Sequence, residues 1–234
     1  IEKYNHLLAT NKKIPIPNIT FIIRNNFGEI AKSKRVVAQK RYIIIALNLI
    51  QKFEDNKNKL TGVFSASKVR EKYLFDKNKI VEQLKQRVEN LRDGIPKNNL
   101  FPKQGPTSLC GPAAFFYCLL VDRPDLYVKC VIDLWERGEA NIKNLHIKPS
   151  NDCKNPSSKN GSIGNINGVD WITLASLRDS ENSIFDYDEA DDQLAGITFE
   201  GKLKSWFIKV GAELLFSNIT YGLHINKNKL LQLV

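Results

Sequence analysis

The chain has 234 residues, 42% of them hydrophobic, which suffices for one large domain or for a domain of roughly 130 residues with an extension. Its most apolar run, Tyr42–Ile50, is far shorter than the about 20 residues a bilayer requires, so no membrane span is expected. The net charge of +10 is uneven: residues 1–100 hold 21 Lys+Arg against 9 Asp+Glu and the remainder 14 against 16, so the basic character belongs to the N-terminal part and nucleic acid is not an expected partner of the rest.

In chain order, a polar opening ends at Pro15-Ile-Pro17. Ile19–Ile23 is apolar and β-branched, and the turn residues Arg24-Asn-Asn-Phe-Gly28 follow it, which predicts a short strand or hairpin. From about Ser33 to Lys57 the apolar spacing predicts a helix that buries Val36, Val37, Ile44, Leu47 and Ile50. Ser65-Ala-Ser67 can cap another. Asp76–Leu91 reads as a clearer helix, with Asp76 as N-cap, Ile80, Leu84, Val88 and Leu91 on one face, and Gly94 then Pro96 as the stop. The stretch Pro96-Lys-Asn-Asn-Leu-Phe-Pro102 then marks the expected boundary: residues 1–95 as a basic, mainly helical extension or connector, residues 96–234 as the main domain. A solvated basic face is the plain reading of the extension, and binding to an acidic partner or to delivery machinery is the alternative.

After the boundary, Ala113–Leu120 is apolar on nearly all sides, as in a central buried helix. Asp122-Arg-Pro-Asp125 breaks it and caps a helix from Leu126 to Arg137 that stops at Gly138. Ser150–Gly168, rich in Asn, Ser, Gly and Lys, predicts a loop. Val169–Leu177 and Gly201–Val210 read as helices, and Ala212–Phe216 and Ile219–Ile225 as strands. There is no methionine, and residue 1 is isoleucine, as expected of a piece of a longer or processed protein.

Four cysteines, Cys110, Cys118, Cys130 and Cys153, form no Cys-x-x-Cys pair and have no histidine at zinc-ligand spacing, so no metal, cofactor or disulfide framework is expected. Cys118 and Cys130 fall in apolar helical patterns and read as core, Cys153 as an incidental loop residue. Cys110 differs, because it stands where a loop turns into the apolar helix, six residues after Gln104. A thiol at a helix N-terminus meets unpaired N–H groups and the positive end of the macrodipole, which favour the nucleophilic thiolate. A glutamine amide returned beside it by the intervening turn can donate to the oxyanion formed when a carbonyl is attacked.

Gln104, five residues, then Cys110-Gly-Pro-Ala-Ala114 resembles the signature of papain-like cysteine peptidases, in particular the bacterial branch that processes double-glycine leader peptides. The resemblance covers about a dozen residues. It implies an α+β papain-like fold, with a central helix starting at the nucleophile and packed on an antiparallel sheet. Cys110 would be the nucleophile, Gln104 would serve the oxyanion hole, and a histidine oriented by Asp or Asn would move protons. Sites of this family accept extended protein or peptide substrates with small residues, often glycine, beside the cut. By architecture the chain is similar to the C-terminal toxin domains of secreted antibacterial effectors, which implies delivery into a target cell and a cognate immunity or inhibitor protein; a cytoplasmic peptidase is the alternative setting. Side-chain or cell-wall amide hydrolysis on the same fold, and a catalytically incomplete binding module, are the alternative functions.

Three histidines compete for the base. His6 lies in the extension. His146 follows Cys110 by only 36 residues, short for the family. His224, in Tyr221-Gly-Leu-His-Ile-Asn226, has the order and distance that suit it, although Leu223 separates it from the glycine that normally precedes it and no Asp or Asn follows at the usual spacing before Val234. A base outside the chain is the remaining alternative. Arg178-Asp-Ser-Glu-Asn182 with Asp170 forms a polar cluster that can either shape a cleft or close a salt-bridged helix end.

Overall fold

The computed structural model describes residues 28–65, 73–92, 101–105, 107, 109–156, 166–182 and 200–213, with side chains from residue 39. It is an α+β structure, mostly helical, with a two-stranded antiparallel sheet among the described residues.

Helix α1 (Gly28–Asp55) buries Ile43, Ala46, Ile50 and Phe53, spaced three, four and three apart, so one stripe faces inward. The run Ile43-Ile44-Ile45 left its phase open to a one-residue error. Ile44 is 44% exposed rather than buried, because Phe53 sets the phase by packing edge-on against Trp135 at 5.1 Å. Helix α2 (Lys77–Arg92) is capped as its sequence reads, with Asn78 N–H donating to Asp76 Oδ1 at 2.9 Å, and it buries Ile80, Leu84 and Val88 completely.

Helix α3 (Cys110–Asp122) starts at Cys110 and buries Phe115, Phe116, Leu119 and Leu120. Its opposite stripe, Cys110, Ala114 and Cys118, is exposed. Cys118 is therefore not the core residue its apolar neighbours suggested: alternation along the helix, not local hydrophobicity, decides which side faces in. Helix α4 (Pro124–Arg137) has proline in its first turn and ends on Gly138, whose φ of 75° suits glycine and whose N–H donates to Leu134 O at 2.8 Å.

A hairpin follows that short strand signals do not reveal. Strands β1 (Ala140–Ile142) and β2 (Leu145–Ile147) pair Ala140 with Ile147, Asn141 with His146 and Ile142 with Leu145. Ala140, Ile142, Leu145 and Ile147 point into the core, and Asn141 and His146 point out. Within the expected loop, helix α5 (Asn151–Lys154) is capped by Ser150 and buries Cys153, so that residue is not incidental. Burial, with the Asp179 carboxylate nearby, pushes its thiol up to about 12.

Helix α6 (Gly168–Asp170) runs into a π-helical turn (Trp171–Ala175) and helix α7 (Ser176–Asn182). Thr173 Oγ1 donates back to Val169 O at 2.8 Å and Asp170 O at 3.2 Å, side-chain competition for the carbonyls where the helix widens. Helix α8 (Glu200–Lys209) packs Trp206 and Phe207 against Phe115 of α3. Of the expected C-terminal strands, Ala212 and Glu213 are described and carry no strand; the rest, and the segment Ile19–Ile23, lie outside the described residues.

One hydrophobic core joins residues on both sides of the boundary read at Pro96: Ile50, Leu84 and Val88 from α1 and α2 with Phe116, Trp135, Ile147 and Ile172. Helix α1 also finishes α3, since Gln39 Nε2 donates to Val121 O at 3.0 Å. Part of the basic character is structural, for Lys59 Nζ donates to Glu136 O at 2.5 Å and Lys77 Nζ to Asn56 O at 2.6 Å. Helix α6 packs tightly on the turn before α2: a Cβ on Gly168 would lie 2.2 Å from Leu74 O. Gly168→Ala is expected to lower stability by about 1–3 kcal/mol, measured by urea unfolding.

Candidate active site

The loop before α3 is built to turn. Gly105 has φ of +58°, a conformation that favours glycine, and Thr107 Oγ1 donates to Gln104 O at 2.6 Å. The chain before it is fixed by Asp170, whose Oδ2 accepts from Lys103 N–H at 2.9 Å. At its far end Leu109, buried, occupies the N-cap position and offers no side-chain acceptor. Ala113 is the first residue of the helix to donate back, to Leu109 O at 2.9 Å. The Gly111 N–H is thus left without the side-chain cap that usually engages it, and the Cys110 N–H has no intrahelical partner.

Cys110 is exposed at this end, and its sulfur makes no hydrogen bond among the described residues. Gln104 Oε1 is enclosed and without a hydrogen-bond partner, and Nε2 makes no hydrogen bond among the described residues. An enclosed orphan acceptor costs about 1–3 kcal/mol.

Asp170 belongs to a buried network that the sequence did not disclose as a unit. Arg87 donates from one guanidinium nitrogen to Asp170 Oδ1 at 2.5 Å and from another to Tyr127 OH at 2.6 Å. Asp170 N–H donates to Asn167 Oδ1 at 2.8 Å, and Val169 N–H to Gln83 Oε1 at 2.9 Å. The ion pair is almost wholly shielded, at 3% and 0% side-chain exposure. Burial opposes the Arg87 charge, but the facing Tyr127 and Asp170 oxygens outweigh it and hold the guanidinium above its ordinary value. Burial likewise lifts the Tyr127 phenol above its ordinary value. Of the two readings of the Asp170 cluster, the structure separates its members: Asp170 anchors the motif loop, whereas Asp179 accepts from Ser150 N–H and Glu181 pairs with Lys209. The signal for Arg87 was present in the helix pattern. It occupies a position of the stripe formed by Ile80, Leu84, Val88 and Leu91, where a charged residue needs a buried partner.

Among the described residues no hydrogen bond joins a histidine to the Cys110 sulfur. His146 stands on the outward face of the hairpin, with its Nδ1 2.8 Å from Asn141 Oδ1. His6 and His224 lie outside the described residues.

Cysteine chemistry should separate the four thiols. With iodoacetamide near neutral pH, Cys110 is expected to react about tenfold or more faster than Cys118, the other exposed thiol, which partial burial and then Asp122 hold in its protonated form. Cys130 and Cys153 should label only on unfolding, because burial excludes the reagent and raises both thiols. Peptide mapping of the alkylated chain reads the order, and equal labelling of Cys110 and Cys118 would remove the case for a selective nucleophile.

No helix among the described residues is long and apolar enough to cross a membrane. Comparison with protein-family models, with curated proteins and with solved structures finds no match to this chain.

Proposed function

We propose that the chain is a cysteine hydrolase of papain-like type that cleaves peptide bonds after small residues such as glycine. The observation that carries this is the conjunction at the start of α3: an exposed cysteine as first helical residue, uncapped N–H groups beside it, and Gln104 with its amide oxygen turned inward.

In the reaction, the Cys110 thiolate forms a bond to the substrate carbonyl carbon, and the carbonyl π electrons move to oxygen. The Cys110 N–H and Gln104 Nε2 donate to that oxyanion. Collapse expels the amine, which takes a proton from an imidazolium, and leaves a thioester that water then hydrolyses with the imidazole as base. His224 is the base assigned by order and distance along the chain. His146, already oriented through Nδ1 by Asn141, is the second candidate.

Within this proposal the setting is a toxin delivered into a target cell, held in check by an immunity protein in the producing cell. Digestion of a denatured protein mixture, with the new termini read by mass spectrometry, tests the chemistry. Cleavage after small residues that vanishes in Cys110→Ala supports it; no cleavage, together with glutamine-to-glutamate conversion in the mixture, would replace it with side-chain amide hydrolysis.

A further inference from the structure

Beside the motif loop lies a cavity of about 50 Å³ lined by Gln83, Gln86, Arg87, Phe101, Lys103 and Asn167. It offers several times the about 10–15 Å³ that one water molecule needs. Its chemistry is one-sided, because none of the lining residues is acidic and two are cationic.

The donors are pre-aimed. Gln83 Oε1 is held by Val169 N–H and Asn167 Oδ1 by Asp170 N–H, which fixes both amide groups and leaves each NH₂ without a bonding partner among the described residues. The charge of Arg87 is balanced by Asp170, whereas the Lys103 ammonium makes no ion pair among the described residues, so the cavity carries one uncompensated positive charge. Glu82, the acid next to Gln83 on α2, is engaged by Gln86 Nε2 at 3.1 Å on the exposed side. Phe101 closes one wall and is itself held by stacking on Tyr117 of α3, with ring centroids 5.1 Å apart.

Two fixed amide NH₂ groups, an ammonium unpaired among the described residues and an aromatic wall form a receptor for a planar monoanion. We infer that this cavity binds a carboxylate and that, as a substrate subsite, it selects peptides presenting an acidic group close to the cleaved bond. The cavity adjoins the motif loop through Lys103, the residue before Gln104, whose N–H is pinned by Asp170. As a subsite the cavity rests on the cysteine-hydrolase reading; as a carboxylate receptor it does not.

The test uses the full chain carrying Cys110→Ala, so that turnover plays no part. Sodium acetate is titrated at constant ionic strength while the side-chain NH₂ resonances of Gln83 and Asn167 are followed by NMR. Saturable shifts in both are expected, weakened about three- to tenfold by Lys103→Ala, an exposed substitution that leaves the fold intact. Two peptides then distinguish the source of the carboxylate: one with an internal glutamate and an amidated C-terminus, one with a free C-terminus and no acidic side chain. Binding of either, with the same loss in Lys103→Ala, supports the receptor. Acetate that moves neither resonance, or affinity indifferent to Lys103→Ala, overturns it. Saturable acetate binding in a chain that cleaves nothing would leave the receptor standing and remove only the hydrolase reading.

Discussion

Replacing Cys110 with alanine should lower kcat/KM for peptide cleavage by at least about 10³-fold while shifting unfolding free energy by no more than about 0.5 kcal/mol. The asymmetry follows from its place. Cys110 is exposed, its sulfur bonds to nothing described, and alanine is a strong helix former, so the fold loses little. The reaction loses the atom that forms the bond. Gln104→Ala gives a second, graded measure: removal of one oxyanion donor typically costs about 10²–10³ in kcat, with KM little changed because the interaction matures as charge develops on the oxygen. Full activity in Cys110→Ala would end the mechanism. Loss in Cys110→Ala with no change in Gln104→Ala would keep the nucleophile and reassign the oxyanion donor to the backbone N–H groups of Cys110 and Gly111.

The largest stability effect is expected at Asp170, which is fully buried. Asp170→Asn leaves Arg87 charged and enclosed without its counter-ion, which should cost about 3–5 kcal/mol. It also weakens the acceptor for Lys103 N–H, so the motif loop loses its anchor and cleavage should fall in whatever fraction remains folded. Arg87→Met alone should be costly for the mirror reason, since it strands the carboxylate. Combined as Arg87→Met with Asp170→Leu, the two should cost less than their sum by more than about 1 kcal/mol, because the second substitution removes the charge stranded by the first. Denaturant unfolding of Arg87→Met, Asp170→Leu and the double closes the cycle, and strict additivity would mean that the pair is not energetically coupled.

These two residues also mark what could and could not be read in advance. The position of Cys110 was legible because it depends on a local pattern, a turn running into an apolar helix, and the structure begins α3 at that residue. Asp76, Gly138 and the apolar face of α2 were legible for the same reason: caps and periodicity act within one or two turns. The hairpin of three-residue strands fell below the length at which alternation can be recognised, and Ile44 was assigned inward because a run of three isoleucines has no phase of its own.

What the sequence by itself determined is therefore the local chemistry: a cysteine at a helix start, a glutamine six residues earlier, a glycine that lets the loop turn, and helices with definite faces. Only the tertiary structure decided which of these are held in place and by whom. Arg87 and Asp170 stand 83 residues apart and meet because apolar faces of α2 and of the π-bulged helix bury together, which encloses each charge with the other as its counter-charge. The same burial joined the basic N-terminal helices to the core of the motif helix across a proline-rich stretch that reads as a boundary. Proline and charge act on the chain locally, whereas burial of apolar surface is indifferent to distance in sequence.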